Sequence, residues 1–440
     1  MKRSICAMLL LAGCATTQAA QRPAAGSGDV AAADVNGMKV LVKRIPGAEF
    51  VSVALGIKGG VRSWTKDDAG VGEFAFQVAA RGGTESMERD AFQRKLASLG
   101  ATLYGTANND YAVMGGKSLR DVWGPTFEML ADAFLHPAMP AAEIELQRQR
   151  HLSFLKREQE HPESQLELAT HEATFKGHPY ENRAMGTLEN VTKLGRAELV
   201  AWLGRQRQTS RLVLVVVGDV DVAEVAEKAR ATFGQLPRGE AADAPLPPIT
   251  FDAAKVVTIE RKLPTHYVRS VFPAPGWRDA DLPAAIVGMK ILHEREFVEV
   301  RTKRNLSYGP GARLAWGAAV ARGILLVSAV DPNTTMKVML DEVKRLRDEP
   351  VPEKELTSET AGFLTRYLMG LETTDGQAGM LLQAEISGGD HRLAASLAAR
   401  VRAVTQAEVQ AFAKKYFKNL RTVVIGTDVA KLDQALLTAM

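Results

Sequence analysis

The two halves of this chain end in the same local pattern, and that repetition limits the fold more than any other feature. The first half reads V-T-K-L-G-R-A-E-L-V and then L-V-L-V-V-V-G-D within residues 191–219. The second half reads V-T-Q-A-E-V-Q-A-F and then R-T-V-V-I-G-T-D within residues 404–428. In each case a helix that starts with Val-Thr leads to a strand that ends in Gly. Such self-similarity, over roughly 200 residues, predicts a duplicated domain with a core in each copy.

Composition and local pattern favour an α+β fold. Of 440 residues, 46% are hydrophobic and 24% are charged, which is ordinary for a globular protein. We predict two homologous α/β sandwich domains at residues 36–240 and 251–440, each a mixed, mostly antiparallel sheet with helices packed on one face. The Ala/Pro-rich stretch 241–250 is the predicted linker. Near the start, residues 38–42 and 49–57 alternate apolar and polar side chains and predict a hairpin.

The N-terminus has the composition of a targeting segment. Lys2 and Arg3 precede an apolar run, Ile5–Ala12, that is too short to span a bilayer. The run ends in Leu-Ala-Gly-Cys14, which is similar to the lipobox of bacterial lipoproteins, whose Cys becomes the lipidated first residue of the mature chain. The alternative is an ordinary secretory peptide that is cut after an Ala at residues 19–20.

The lipobox predicts where the mature protein resides. Residues 1–14 would be the signal peptide, and the Ala/Gly/Gln-rich residues 15–35 would be a flexible tether. We expect a periplasmic protein that is held by the lipid on Cys14 to a bacterial membrane, with the outer membrane favoured. Because Cys6 would leave with the signal and Cys14 would be acylated, thiol catalysis, disulfides and Cys metal sites are excluded for the mature chain.

The charge balance argues against a nucleic-acid partner. The formal net charge is +4, and loss of Lys2 and Arg3 with the signal peptide would leave about +2. The sequence also has no dense basic tract and no basic strip interleaved with aromatic residues. We therefore expect no nucleic acid among the partners.

The stretch V-R-T-K-R-N-L-S-Y at residues 300–308 carries the clearest functional signal of the second half. Arg301 and Tyr308 are seven positions apart, which is two turns of a continuous helix. If the helix ends near Asn305 instead, Tyr308 begins the next element and can fold back over the Arg. An Arg fork and a phenol can together grip a peptide carbonyl or an oxyanion. The alternative is a basic helix end, in which Arg301 and Arg304 only complement the helix dipole.

The duplicated halves, the G-x-G segment at residues 70–72 and the R-x-x-R-x-L-x-Y stretch together resemble the insulinase/pitrilysin zinc peptidases. These are the inverzincins, which include the mitochondrial-processing-peptidase-like proteins. The resemblance covers about residues 38–427 and implies one half of a clamshell built from two peptidase-like domains. Family members carry His-x-x-Glu-His on a helix of the first domain, where the two His bind zinc and the Glu is the general base. A later Glu supplies the third ligand.

This sequence lacks those groups at the positions that match the family. The resemblance places the metal motif at Glu73, Phe76 and Gln77, and the third ligand near Phe154. A single Glu beside Phe and Gln is a poor zinc site in both ligand number and ligand type. We therefore expect no metal or other cofactor in this chain.

The second half keeps the residues that the resemblance assigns to substrate. Family members use an Arg and a Tyr of the C-terminal domain to bind substrate and to stabilise the tetrahedral intermediate, and Arg301 and Tyr308 match them. Some bacterial members divide the work between a chain with the metal motif and a chain with the Arg/Tyr pair.

The resemblance thus implies the non-zinc-binding subunit of a heteromeric periplasmic zinc metallopeptidase. This subunit would supply substrate-binding and oxyanion residues, Arg301 and Tyr308, for peptide hydrolysis and would not cleave peptides alone. Zinc is expected in a partner subunit that bears His-x-x-Glu-His. The alternative is a catalytically inactive pseudopeptidase that serves as a peptide-binding or assembly protein.

The eight histidines do not suggest another metal site. No two of them lie four residues apart with a supporting Glu, so we predict a surface or capping role for each, His151 included.

Overall fold

Two sheets, one from each half of the chain, organise the fold. The computed structural model describes residues 29–240 and 246–440. The predicted signal peptide with Cys14, residues 15–28 of the predicted tether, and residues 241–245 of the predicted linker lie outside the described residues. Within the described part, no helix is both long enough and apolar enough to cross a membrane.

The first half contains eight strands and eight α-helices in its described part. The strands are β1 (Val30–Val35), β2 (Met38–Arg44), β3 (Phe50–Lys58), β4 (Gly83–Thr84), β5 (Met87–Glu88), β6 (Thr102–Ala107), β7 (Tyr111–Leu119) and β8 (Leu212–Gly218). The helices are α1 (Val71–Ala79), α2 (Arg89–Ser98), α3 (Trp123–Leu135), α4 (Ala141–Glu160), α5 (Pro162–Phe175), α6 (Leu188–Lys193), α7 (Arg196–Gln206) and α8 (Val222–Ala231).

The second half contains five strands and seven α-helices in its described part. The strands are β9 (Lys255–Glu260), β10 (His266–Ala274), β11 (Gly311–Ala315), β12 (Ala321–Ala329) and β13 (Arg421–Gly426). The helices are α9 (Leu282–Glu296), α10 (Pro332–Asp348), α11 (Glu353–Gly370), α12 (Thr374–Ile386), α13 (Arg392–Arg402), α14 (Gln406–Tyr416) and α15 (Gln434–Leu437). A π-helical segment, Phe297–Thr302, continues α9.

The second sheet repeats the strand order of the first. The six-stranded sheet runs β1-β2-β8-β3-β7-β6, and the five-stranded sheet runs β9-β13-β10-β12-β11 in the same sense. In both, the last strand of the half enters between two earlier strands, parallel to one and antiparallel to the other. This shared order confirms the predicted duplicated α+β fold with mixed, mostly antiparallel sheets.

The predicted hairpin between residues 38–42 and 49–57 is wrong. The two segments are strands β2 and β3, but β8 lies between them and pairs with both. The connecting loop crosses the end of β8, where Ile45 N donates to Gly218 O at 2.9 Å. Placing the most apolar strand in the centre of the sheet buries it on both faces, and this outweighs the shorter loop closure of a hairpin.

The predicted tether extends too far into the chain. Residues 30–35 form β1, an edge strand that pairs antiparallel with β2 from Val30↔Lys43 to Val35↔Met38. The turn is Asn36-Gly37, and both residues have positive φ, 54° and 91°. Asn-Gly is the preferred pair for such a two-residue hairpin turn, so this signal was present in the sequence and was missed.

Each sheet is covered on its two faces by different halves of the chain. Leu214 and Val216 of β8 pack into a core with helices of the first half. Val213, Val215 and Val217 point to the other face, where α12 of the second half lies. Because both faces are covered, all seven residues of β8 are buried and apolar or Gly.

Helices α5 and α12 are exchanged between the halves. α12 lies across β3 and β8, where a Cβ on Gly56 would come within 2.5 Å of the Leu382 side chain. α5 lies in turn across β10 and β13, where Leu166 packs on Val423 and Ile425. The two halves therefore share their cores, and neither sheet could lose the other half without exposing an apolar face.

A buried carboxylate, Asp110, accepts hydrogen bonds from both halves of the chain at the junction between them. It accepts hydrogen bonds from the Tyr180 hydroxyl and, across the junction, from Ser387 Oγ at 2.8 Å and Ala319 N at 2.7 Å. Arg62 lies 3.9 Å away. A charge without water is tolerated only with several donors, and Asp110 obtains them from both halves.

Candidate functional site

Arg301 and Tyr308 are brought together by a local unwinding of α9. The helix widens into the π-helical segment 297–302 and then stops, with Asn305 in the left-handed conformation at φ 52°. Asn305 N donates to Arg301 O at 3.1 Å, and Leu306 N donates to Val300 O at 2.9 Å. Asn tolerates the left-handed conformation better than most residues do, and the chain turns at Asn305, where the sequence indicated a possible helix end. Tyr308 thus lies in the segment after the helix, as in the second alternative above.

The Arg301 guanidinium lies on two aromatic rings. Its carbon is 4.0 Å from the centroid of the Tyr308 ring and 4.9 Å from that of Phe297. Stacking of this kind holds the guanidinium plane without consuming its N–H donors. Within residues 29–240 and 246–440, no carboxylate or hydrogen-bond acceptor pairs with Arg301. Its N–H groups are therefore available to water or to a bound ligand.

Tyr308 is unusually exposed for an aromatic residue. Its exposed fraction is 80%, and among the described residues its hydroxyl has no hydrogen-bond partner. A Tyr with no packing role normally turns towards a partner surface or a ligand. The Tyr308 hydroxyl and the Arg301 guanidinium are therefore neighbouring hydrogen-bond donors without internal acceptors among the described residues.

A small open cavity of about 250 Å³ adjoins the pair. Its wall is formed by the residue that precedes β10, by the end of β12 and by the loop after the π-helical segment. Besides Arg301 and Tyr308, the lining residues are Thr265, Asn305, Leu306, Ser307, Ser328, Ala329 and Val330. Ser307 Oγ donates to Ser328 O at 2.6 Å and so fixes the loop to β12. The cavity therefore lies open beside both groups of the Arg/Tyr pair.

Arg304 differs from Arg301 although both belong to the same basic stretch. Its Nη1 donates to Glu299 O at 2.9 Å and also to the Glu299 carboxylate. Hydrogen bonds from Lys303 and Arg304 lower the pKa of Glu299. Arg304 therefore serves the helix end, and Arg301 does not.

The positions that match the zinc motif are filled by structural contacts. Glu73, on the buried face of α1, accepts hydrogen bonds from Gln77 Nε2 at 2.6 Å, Ala107 N at 2.6 Å and Thr106 Oγ1 at 2.9 Å. Burial raises the pKa of Glu73, although these hydrogen bonds act against the rise. Phe76 is buried and packs edge-on to Trp202 with ring centroids 5.5 Å apart. The motif positions thus anchor α1 to β6 and to α7.

The fourth position is not a ligand either. Phe154 lies on α4 with an exposed fraction of 40%. The described residues contain no group of three or more His, Cys, Asp or Glu side chains that could hold a metal ion. The positions that match the zinc motif hold Glu73, Phe76, Gln77 and Phe154. Only Glu73 is a usual zinc ligand, so this set of side chains does not fit zinc.

One histidine departs from its predicted surface role. His151, on α4, is buried and packs on Phe74 with ring centroids 6.0 Å apart. Its Nε2 donates to Met185 O at 2.8 Å, and burial lowers its pKa, so the ring is neutral at pH 7. The apolar spacing of α4 was the available signal for burial, and His151 is part of the core.

Two family profiles match adjacent parts of the chain. Residues 39–188 match the profile described as "Insulinase (Peptidase family M16)", and residues 193–361 match "Peptidase M16 inactive domain". Together they cover most of the described chain; the first profile ends before β8, and the second contains β8 and the strands β9 to β12.

Several curated proteins are similar in sequence. Subunit 1 of the mitochondrial cytochrome b-c1 complex from Bos taurus is 27% identical over 269 residues, which is 60% of this chain and 53% of that protein. The mitochondrial-processing peptidase subunit beta of Saccharomyces cerevisiae is 22% identical over 58% of this chain and 56% of that protein. The chain thus spans about half the length of these relatives. The corresponding subunit of Lentinula edodes is 23% identical over 87% and 86% of the two chains.

Solved structures share the fold. A protease from Helicobacter pylori superposes with a TM-score of 0.81 at 16% identity, over 91% of this chain and 99% of that one. A peptidase M16 inactive domain from Pseudomonas fluorescens gives a TM-score of 0.80 at 21% identity, over 91% and 98%. At this level of identity the likeness concerns the arrangement of both sheets and their helices.

Proposed function

This chain belongs to the insulinase family of M16 peptidases, and from that premise we propose that it is the non-zinc-binding subunit of a two-chain peptidase. In this proposal it contributes Arg301 and Tyr308 to an active site completed by a second family member. The partner would carry His-x-x-Glu-His and the zinc ion. Lipid on Cys14 would hold this chain to a bacterial membrane on its periplasmic side.

The observation that carries the proposal is the contrast between the two candidate sites. Glu73 has three internal hydrogen-bond donors, whereas among the described residues Arg301 and Tyr308 have no internal acceptor or donor partner. An unpaired guanidinium costs nothing in water, but holding it on Tyr308 beside a cavity has no evident structural use. The pair is consequently the better candidate for ligand contact.

The geometry suggests how each group would act. Arg301 would hold a substrate carbonyl through its planar fork of N–H donors. Tyr308 would donate its hydroxyl proton in a hydrogen bond to the oxygen that gains negative charge in the transition state. The substrate backbone would add as an extended strand to an exposed sheet edge, which gives affinity with little sequence preference.

The test is reconstitution with a zinc-motif chain of the same family from the same genome. We expect that neither chain alone cleaves an unstructured fluorogenic peptide and that the mixture does so in a zinc-dependent manner. Arg301→Ala and Tyr308→Phe should each lower turnover about 100- to 1,000-fold while the complex still forms in size-exclusion chromatography. Cleavage by the isolated chain that a chelator stops would overturn the proposal.

A second function has one observation in its favour. Subunit 1 of the mitochondrial cytochrome b-c1 complex is similar to this chain, and its name describes a component of a complex and not a peptidase. In that case this chain would be a pseudopeptidase that binds peptides or other subunits. It would form a stable complex whose properties do not change in Arg301→Ala, and the reconstitution above distinguishes the two functions.

A further inference from the structure

Three arginines converge on one face of the second sheet, far from the end that carries Tyr308. Arg269 lies on β10, Arg322 on β12 and Arg313 on the edge strand β11. The register places Arg269 opposite Leu326 and Arg313 opposite Ile324, and Leu326, Ile324 and Arg322 point to the same face of β12. All three guanidinium groups are therefore on the face opposite α9.

Among residues 29–240 and 246–440, Glu167 is the one carboxylate that pairs with these arginines. Arg269, with an exposed fraction of 7%, donates Nη1 to Glu167 of α5, and its Nε is buried without a hydrogen-bond partner. Arg322 Nη2 is 3.7 Å from the other Glu167 oxygen, beyond hydrogen-bond range. Its guanidinium instead lies 5.0 Å from the Phe175 ring centroid.

The cluster carries more positive charge than it neutralises. Burial opposes ionisation of Glu167, but the hydrogen bond and charge of Arg269, with the charges of Arg322 and Arg313, lower its pKa overall. Burial lowers the pKa of neighbouring His171, so this ring is neutral at pH 7. Arginine stays protonated in proteins, and the three guanidinium groups with one carboxylate leave an excess of about two charges.

Such an excess is unfavourable in a partly dry environment. Burial lowers the pKa of Arg322; the charge of Glu167 acts against this, and the charges of Arg269 and Arg313 lower the pKa further. Among the described residues, neither Arg313 nor Arg322 donates a hydrogen bond. Arg322 is partly buried and Arg313 is exposed, so an anion that arrives from solvent can reach the unfilled donors of both and reduce the repulsion among the three arginines.

We propose that Arg313 and Arg322, supported by Arg269, form a binding site for carboxylates of an acidic peptide segment. The guanidinium fork matches the planar carboxylate in a bidentate manner. Arg313 and Arg322 are diagonal neighbours on adjacent strands, and the Cα atoms of such neighbours are about 7–8 Å apart. Alternate side chains of an extended peptide repeat every ~7 Å on one face, so carboxylates at positions i and i+2 fit both arginines.

The site also has a defined place relative to the Arg301 cavity. Ser328 of that cavity and Arg322 are both on β12, six residues apart, which corresponds to about 20 Å of strand. One extended peptide of six or seven residues would span both. The carboxylate site goes beyond the proposed function, since it needs neither zinc nor a second chain.

The experiment measures peptide binding to the isolated chain by isothermal titration calorimetry. One probe is N-acetyl-Glu-Ala-Glu-Ala-Glu-amide, which has only side-chain carboxylates; the other is N-acetyl-pentaalanine with a free C-terminal carboxylate. We expect the double variant Arg313→Gln/Arg322→Gln to bind the preferred probe at least about tenfold more weakly, as loss of charge-assisted hydrogen bonds predicts. Binding of only the second probe would overturn the acidic segment as the ligand, because that probe has one terminal carboxylate and no acidic side chain.

The matched control is Arg347→Gln/Arg392→Gln, which removes the same charge from two exposed ion pairs with Asp348 and Asp390. It should bind as the wild type does. Equal weakening in both double variants would show non-specific charge attraction and would overturn the site, as would the absence of binding by either probe at millimolar concentration. Unfolding curves of all variants verify that the arginine substitutions leave the fold intact. A failure here leaves the zinc-dependent reconstitution untouched, and the reverse also holds.

Discussion

The Arg301 guanidinium carbon lies 4.0 Å above the centroid of the Tyr308 ring, although the two residues belong to different elements. The π-helical segment turns Arg301 outwards, and the left-handed Asn305 returns the chain so that Tyr308 covers it. The contact fixes the guanidinium by its face and leaves its edge donors available. Stacking and proton donation by Tyr308 can therefore be separated by mutation.

Tyr308→Phe keeps the ring and removes the hydroxyl, so it tests donation alone. In the reconstituted complex we expect kcat to fall about 100- to 1,000-fold with KM nearly unchanged, since an oxyanion donor acts mainly in the transition state. Arg304→Ala is the control, because Arg304 is engaged with Glu299 and should leave kcat as it was. A rise in KM without a change in kcat would instead assign Tyr308 to uniform substrate binding.

Glu73→Ala should affect stability and not catalysis. The substitution leaves the donors of Ala107, Thr106 and Gln77 without their acceptor, which costs about 1–3 kcal/mol of unfolding free energy. Phe154→Ala at the exposed position on α4 should cost less than ~0.5 kcal/mol. Urea unfolding of both variants gives these values. A normal unfolding free energy for Glu73→Ala, combined with lost activity in the complex, would contradict a structural role.

Asp110→Ala should loosen the junction between the halves. Hydrogen bonds to a buried charge are worth about 1.5–3 kcal/mol each, and Asp110 receives them from Tyr180, Ser387 and Ala319. We expect the unfolding free energy to fall by about 3 kcal/mol. Ser387→Ala removes a single donor and should cost about 1.5 kcal/mol, the low end of that range. If Asp110→Ala unfolds like the wild type in urea, Asp110 does not join the halves.

Glu296 makes stability depend on pH. It is fully buried at the end of α9, neither carboxylate oxygen has a partner among the described residues, and burial together with nearby Glu342 raises its pKa. Because the folded-state pKa is raised, the folded protein favours protonated Glu296. The stability that protonated Glu296 allows is fully present below the unfolded-state pKa of about 4.5, and it is lost as pH rises towards the folded-state pKa. Glu296→Gln, which stays neutral, should therefore unfold at a higher temperature than the wild type at pH 8.

The two proteins should converge well below pH 4.5, where Glu296 is protonated in both the folded and the unfolded state. Calorimetric scans of wild type, Glu296→Gln and the exposed control Glu227→Gln across this range test the effect. The control should track the wild type at every pH. A constant difference between Glu296→Gln and the wild type from pH 4.5 to pH 8 would show that titration of Glu296 is not its cause.

Much of the fold and part of the site were predictable because they are written in local patterns. The repeated Val-Thr helix and Gly-ended strand predict the duplication, which the common strand order confirms. The sequence also predicts that the helix with Glu73, Phe76 and Gln77 lacks the zinc ligands of the family, because the ability to bind zinc depends on the type of each side chain. The stretch at residues 300–308 likewise contains both groups of the candidate site and the Asn305 turn between them.

Tertiary structure alone decided which distant segments meet. The entry of β8 between β2 and β3, the exchange of α5 and α12, and the burial of Asp110 join residues more than a hundred positions apart. The arginine cluster depends on the register of three strands and on a helix from the other half. A periodic pattern states which face of an element is apolar, but not which surface covers it. The surface that covers each element is the one that leaves the least apolar area exposed and the least charge unpaired over the whole chain. A short stretch of sequence cannot determine it, because it depends on contacts with distant residues.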